Sequence, residues 1–180
     1  MTHPINAATL ISLATLAALM SGCATMEMPA PVVPAAIAVP AGNKVAMRAV
    51  GTGDLTYECK VKATDANAFE WVFTGPNAVL SDMNQKAIGK YYGGPTWESM
   101  DGSKVTGKQL AVSPSPAGNI PMQLVQASPA TGSGAMTGIT YIQRVNTIGG
   151  VAPALPCDAV KVGSKQLVKY QADYVFYKAL

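Results

Sequence analysis

Histidine is all but missing from this 180-residue chain: there is one, His3, and it belongs to the extreme N-terminus. Ser-His-Asp and Cys-His nucleophilic machinery and histidine-ligated metal sites therefore have no residues to use. Charge is also scarce, at 13% of residues, and its 13 Lys+Arg and 10 Asp+Glu are scattered singly or in pairs such as Lys60 and Lys62. Nucleic-acid binding needs clustered cations and is excluded on that ground. No GxGxxG opens a helix and no GxxxxGK[ST] occurs, so dinucleotide and P-loop chemistry have no support and no cofactor is implied. Sustained 3.6-residue periodicity is lacking beyond the first 20 residues, and Gly or Pro (17 and 13 residues) interrupts most windows long enough for a helix.

The N-terminus points to export. Ala7 to Met20 is an apolar run of signal-peptide length, short of the roughly 20 residues that span a bilayer. It leads into Leu19-Met20-Ser21-Gly22-Cys23, which resembles the lipobox of bacterial lipoproteins and makes Cys23 the lipidation site. Met20 in place of the usual Leu and a leader without Lys or Arg depart from that pattern; a conventional signal peptide cleaved elsewhere is the alternative. The cysteine count agrees with lipidation: three cysteines leave one over in an oxidising compartment, and with Cys23 acylated, Cys59 and Cys157 remain as a pair. A disulfide between them would stabilise the fold by roughly 4 kcal/mol in the chain-entropy model; buried free thiols or metal ligands are the other readings. The expected organisation is a lipoprotein-type signal peptide over 1–22, a Pro/Ala-rich extended tether over 23–42 and a single β-rich domain over 43–180, anchored through lipid in the cell envelope. Ala24 lacks the Asp that retains some lipoproteins at the inner membrane, which favours the outer membrane, facing the periplasm; plain secretion is the alternative.

Within the domain, alternation dominates. Leu55 to Lys62 places apolar residues at every odd position with Cys59 pointing inward, Phe69, Trp71 and Phe73 alternate with Glu70, and Val168 to Phe176 does the same at the C-terminus. Further strands are expected over Lys44–Val50, Ala87–Tyr92, Lys104–Val112, Met122–Ala127 and Gly138–Val145, with Gly51-Thr52-Gly53-Asp54 as a turn and Asp101-Gly102 as a hairpin turn. Ser113–Gly118 and Ser128–Gly134 are expected to be mobile loops. The whole predicts an all-β fold, an antiparallel sandwich or barrel of roughly eight or nine short strands.

The densest run of functional side chains is Tyr91 to Asp101. Tyr91, Tyr92 and Trp97 around a Gly-Gly-Pro corner, with Glu98 and Asp101, suit a cleft that stacks a flat ligand; the competing reading is core packing around a turn. Glu98 and Asp101 as acid and base would make a polysaccharide hydrolase or lyase. Arg144, one of two arginines, is expected to pair with a carboxylate or to bind an anionic ligand. The leading expectation is a non-enzymatic domain binding a small molecule, glycan or protein partner, with a structural assembly subunit recruiting a strand at an open sheet edge as a further alternative.

Thr56-Tyr57-Glu58-Cys59, Trp71 to Pro76, Gly93 to Glu98, Asp101-Gly102-Ser103, Thr140 to Arg144, Asn146-Thr147 with Gly149-Gly150, and Cys157-Asp158 together resemble, in order, the serial blocks of the domain of unknown function 3455 family. The resemblance runs from about Val45 to Tyr177. It implies secretion and a cysteine pair, and brings no activity or catalytic residue with it.

Overall fold

The computed structural model describes Met1 and residues 28–180. Cys23, the expected lipid site, and the expected signal peptide after Met1 lie outside the described residues. Eight strands follow one another: β1 (Asn43–Lys62), β2 (Asp65–Ser81), β3 (Ala87–Tyr92), β4 (Thr96–Ser99), β5 (Lys104–Ser113), β6 (Met122–Ala127), β7 (Ile139–Gly149) and β8 (Lys165–Ala179). Each pairs antiparallel with the next, and β8 returns to β1 along Asn43–Glu58, so the sheet closes into an up-and-down barrel. The chain is all-β, and although the sheet closes, β2 over residues 65–76 and β5 over residues 107–113 are paired on one side only, because β3 and β4 between them are short. The only helical elements among the described residues are 3-10 turns at Ala35–Ile37 and Ala159–Lys161.

Period-two burial builds the wall. Leu55 and Tyr57 on β1, Leu80 on β2, Tyr91 on β3, Trp97 on β4, Ile142 on β7 and Tyr170, Ala172, Tyr174 and Phe176 on β8 form one interior cluster. At the centre Tyr91 stacks on Trp97 with ring centroids 4.7 Å apart, and Tyr174 packs against both. An eight-stranded barrel is just wide enough for side chains to fill, so these rings must be offset by small residues. Gly51 is such an offset: a Cβ there would lie 2.6 Å from the Tyr174 ring. The expected turn at Gly51–Asp54 is therefore corrected to the middle of a 20-residue strand, where glycine leaves room for close neighbours.

One end of the barrel, near Asn43 and Leu180, is plugged. The 128–138 loop folds across it, burying Met136 to 1% exposure, and is held by the Thr131–Lys104 bridge and by Asp101. The expected mobility of Ser128–Gly134 is not matched by this docking; Thr131 exchanges both backbone hydrogen bonds with Lys104.

The other end is left open. There β1 and β2 overshoot the barrel as a long hairpin, which is why Phe73 is 48% exposed despite the alternation that predicted its burial. The 150–164 connection lies along this hairpin, joined by a Cys59–Cys157 disulfide with the Cα atoms 5.6 Å apart and by the Trp71 indole donating to the Leu155 carbonyl at 2.8 Å.

The expected tether is in part folded. From Met28 the chain runs as a strap over the outside of the barrel, with Ile37 fully buried against Leu124, Val145, Val175 and Tyr177. Burying one such side chain stabilises the packing by roughly 1.5–3 kcal/mol. The Gln143 amide donates to the Ile37 carbonyl at 2.7 Å and accepts from the Tyr177 hydroxyl. β8 is thus buried on both faces from Tyr174 to Tyr177.

Candidate functional site

The open end of the barrel is a cavity of about 420 Å³. Its wall comes from six strands: Leu55 and Tyr57 of β1, Phe73 to Pro76 of β2, Tyr91 of β3, Gly107 and Gln109 of β5, Gln123 and Val125 of β6, and Arg144 of β7. Gly94-Pro95 and Ile120-Pro121 complete the rim from connecting segments. The β1–β2 ladder shifts register at Thr56/Tyr57, so that Thr56 opposes Gly75 and Tyr57 opposes Phe73. This bulge bends β2 at the rim, and there Pro76 is accommodated in the strand.

Among the described residues Arg144 is the one charged residue lining the mouth. Alternation on β7 sends Ile142 inward, Gln143 and Val145 outward beneath the strap, and Arg144 inward again. Its Nε and Nη2 both donate to the Pro121 carbonyl, at 3.2 and 2.9 Å, and no carboxylate lies within ion-pair distance among the described residues. The expected carboxylate partner is thus replaced by a backbone carbonyl, while the other expectation for Arg144, an anionic ligand, keeps its geometric basis. Two of the five N–H groups of a guanidinium are used, leaving three. The charge is felt by the phenols around it. Burial raises the Tyr57 and Tyr91 hydroxyls above their ordinary range, and the Arg144 charge works against that rise. Tyr57 donates to the Gly150 carbonyl at 2.7 Å. Deeper in, the Tyr170 and Tyr174 hydroxyls touch at 3.3 Å, both raised by burial, and the Trp97 indole N–H is buried without an acceptor.

Among the sequence candidates, Tyr91 and Arg144 reach the mouth. Trp97 is 1% exposed and supports Tyr91 from behind rather than lining the cavity. Tyr92, Glu98 and Asp101 face away. Tyr91 pairs with Trp97 in the ladder, so Tyr92 and Glu98, one step along, are on the outer surface, where the Tyr92 hydroxyl donates to Glu98 at 2.5 Å and Lys90 sits 3.4 Å away. The Tyr92 bond is the main cause that lowers the Glu98 carboxyl below its usual range. Asp101 lies in the turn at the plugged end and accepts from Ser103 N, Ser103 Oγ and Ala135 N. Glu98 and Asp101 thus serve different local bonds and share no recess that could hold a glycosidic bond between them. Phe73, Gln109 and Gln123 were missed as mouth residues; the Thr74-Gly75-Pro76 break in the β2 alternation was the one signal pointing toward a rim. Among the described residues no three His, Cys, Asp or Glu side chains gather to hold a metal ion.

A family model described as "Protein of unknown function (DUF3455)" matches residues 40–178. No curated protein and no solved structure matches the chain.

Proposed function

The chain belongs to the DUF3455 family of proteins of unknown function, and from that premise, which brings no activity, we propose an exported, lipid-anchored barrel that binds a small organic molecule in its open mouth without transforming it. The observation that carries this reading is Arg144, held over a 420 Å³ recess with N–H groups to spare. A guanidinium drawn into a partly apolar cavity without a counterion is stabilised by a ligand that supplies acceptors. Up-and-down barrels of eight strands are a common frame for such cavities, an architectural likeness only. Export is supported by the lipobox-like run ending at Cys23 and by a disulfide that needs an oxidising compartment. The same run supports anchorage in the envelope, and Ala24 after it, in place of Asp, favours the outer membrane facing the periplasm.

A thermal-shift screen of the full chain against small organic molecules tests the binding, since a ligand selective for the native state raises its apparent stability. Hits are expected with the wild type and lost in Gln123→Trp, whose indole would occupy the recess; hits that persist in a folded Gln123→Trp variant would place binding elsewhere. Intact-mass spectrometry of membrane-extracted protein should show an acylated Cys23 as the N-terminal residue, and an unmodified chain starting elsewhere would end the anchorage part.

A further inference from the structure

We propose that the mouth selects a monoanionic amphipathic carboxylate, its carboxylate seated on the open N–H edge of Arg144 and its flat apolar body against Phe73 and the proline rim. This narrows the binding reading above and rests on it.

Charge arithmetic fixes the ionic state. The lining contains Arg144 but no Lys, Asp or Glu, so the recess carries one positive charge and nothing to cancel it. One negative charge balances it, whereas a dianion such as a phosphate monoester would leave a second charge with no cation in the lining to meet it. The geometry of the guanidinium fixes the head group. With Nε and one Nη2 proton committed to the Pro121 carbonyl, the remaining donors include both protons of Nη1, so one edge of the planar fork stays open, and a carboxylate is the group it pairs with best. The Tyr91 hydroxyl, under the same field and engaged in no side-chain hydrogen bond, is a further donor to the head group.

The apolar body is called for by what surrounds the cation. Phe73 is left half exposed at the edge of the cavity, its ring held edge-on by Tyr57 at 5.8 Å, and Pro76, Pro95 and Pro121 add flat apolar faces. Half-exposed aromatic rings beside a cavity gain from covering a ligand's apolar surface. The volume of about 420 Å³ accommodates a two-ring acid and excludes a long polymer from entering whole.

Isothermal titration of the full chain with 2-naphthoate and with its uncharged analogue 2-naphthamide, at fixed ionic strength, tests the assignment. The acid is expected to bind about tenfold or more tightly than the amide, as a charge-assisted pair requires. Arg144→Met should weaken the acid by about 10- to 100-fold and leave the amide nearly unchanged, and Arg144→Lys should retain part of the preference. Phe73→Ala, a change at an exposed ring that leaves the core intact, should weaken both by a similar factor. Equal binding of acid and amide to the wild type would overturn the carboxylate inference while the mouth still binds. A preference that survives Arg144→Met would overturn it too. If neither compound binds at millimolar concentration the inference falls, and the Gln123→Trp comparison in the screen decides separately whether the binding reading falls with it. Should Arg144→Met fail to fold, the acid-to-amide ratio in the wild type, together with the loss of both affinities in Phe73→Ala, still supports or overturns the inference.

Discussion

Asp101 shows how a residue that reads as chemistry in the sequence is used as a fastener in the fold. Two bonds from Ser103, side chain first, and one from the Ala135 backbone stabilise its charged form and hold its pKa at about 2. A carboxylate with a depressed folded-state pKa adds stability above its unfolded value, near 4, and loses that contribution as pH falls from about 4 toward about 2. Asp101→Asn should therefore melt below the wild type at pH 6, with the gap narrowing between pH 4 and pH 2 in parallel thermal melts. The same residue marks the limit of sequence reading at this scale. Tyr91 to Asp101 is one dense run along the chain, yet antiparallel pairing of Tyr91 with Trp97 turns alternate members inward and outward, and contiguity carries no information about which side a neighbour takes. Arg144 was legible because alternation on β7 holds from Tyr141 to Val145, between two irregularities of the ladder; its acceptor, the Pro121 carbonyl, was not, since nothing in a sequence shows where a connecting backbone will pass.

Among the elements, those whose register is set by local alternation were legible to within a few residues: Ala87–Tyr92 and Met122–Ala127 have the expected bounds, and Asp101-Gly102 does turn a hairpin. The failures have one cause, a distant partner. Gly51 and Gly53 look like punctuation until the rings across the barrel are known, for a Cβ at Gly53 would approach the Asn77 carbonyl to 2.1 Å as surely as one at Gly51 would meet Tyr174. Gly51→Val should consequently destabilise by about 1–3 kcal/mol through overpacking, with a lowered urea midpoint as the readout; a variant as stable as wild type would mean that Tyr174 moves aside without penalty. The strap escaped notice for the same reason. A run rich in Pro and Ala has no period to read, and Val33, Ile37 and Val39 find their cover only on the outward face of the barrel, across β5 to β8 and the start of β1.

At the scale of the whole molecule, the Cys59–Cys157 bond spans 98 residues and ties the overshooting hairpin to the connection before the last strand. Replacing both cysteines by alanine should lower unfolding free energy by about 2–5 kcal/mol, measured by denaturant titration, and should loosen the hairpin beside the mouth before it disturbs the plugged end. Barrel versus sandwich could not be told from alternation, because both bury one face of every strand; only the long-range return of β8 to β1 distinguishes them.

The strap also sets a leash. Met28 is bridged to Val45 beside the start of β1, at the plugged end, and the five steps from Cys23 to Met28 span at most about 18 Å fully extended. An acyl chain on Cys23 would moor the barrel close to the bilayer by its closed base, so that the open mouth would look away from the lipid toward the aqueous space.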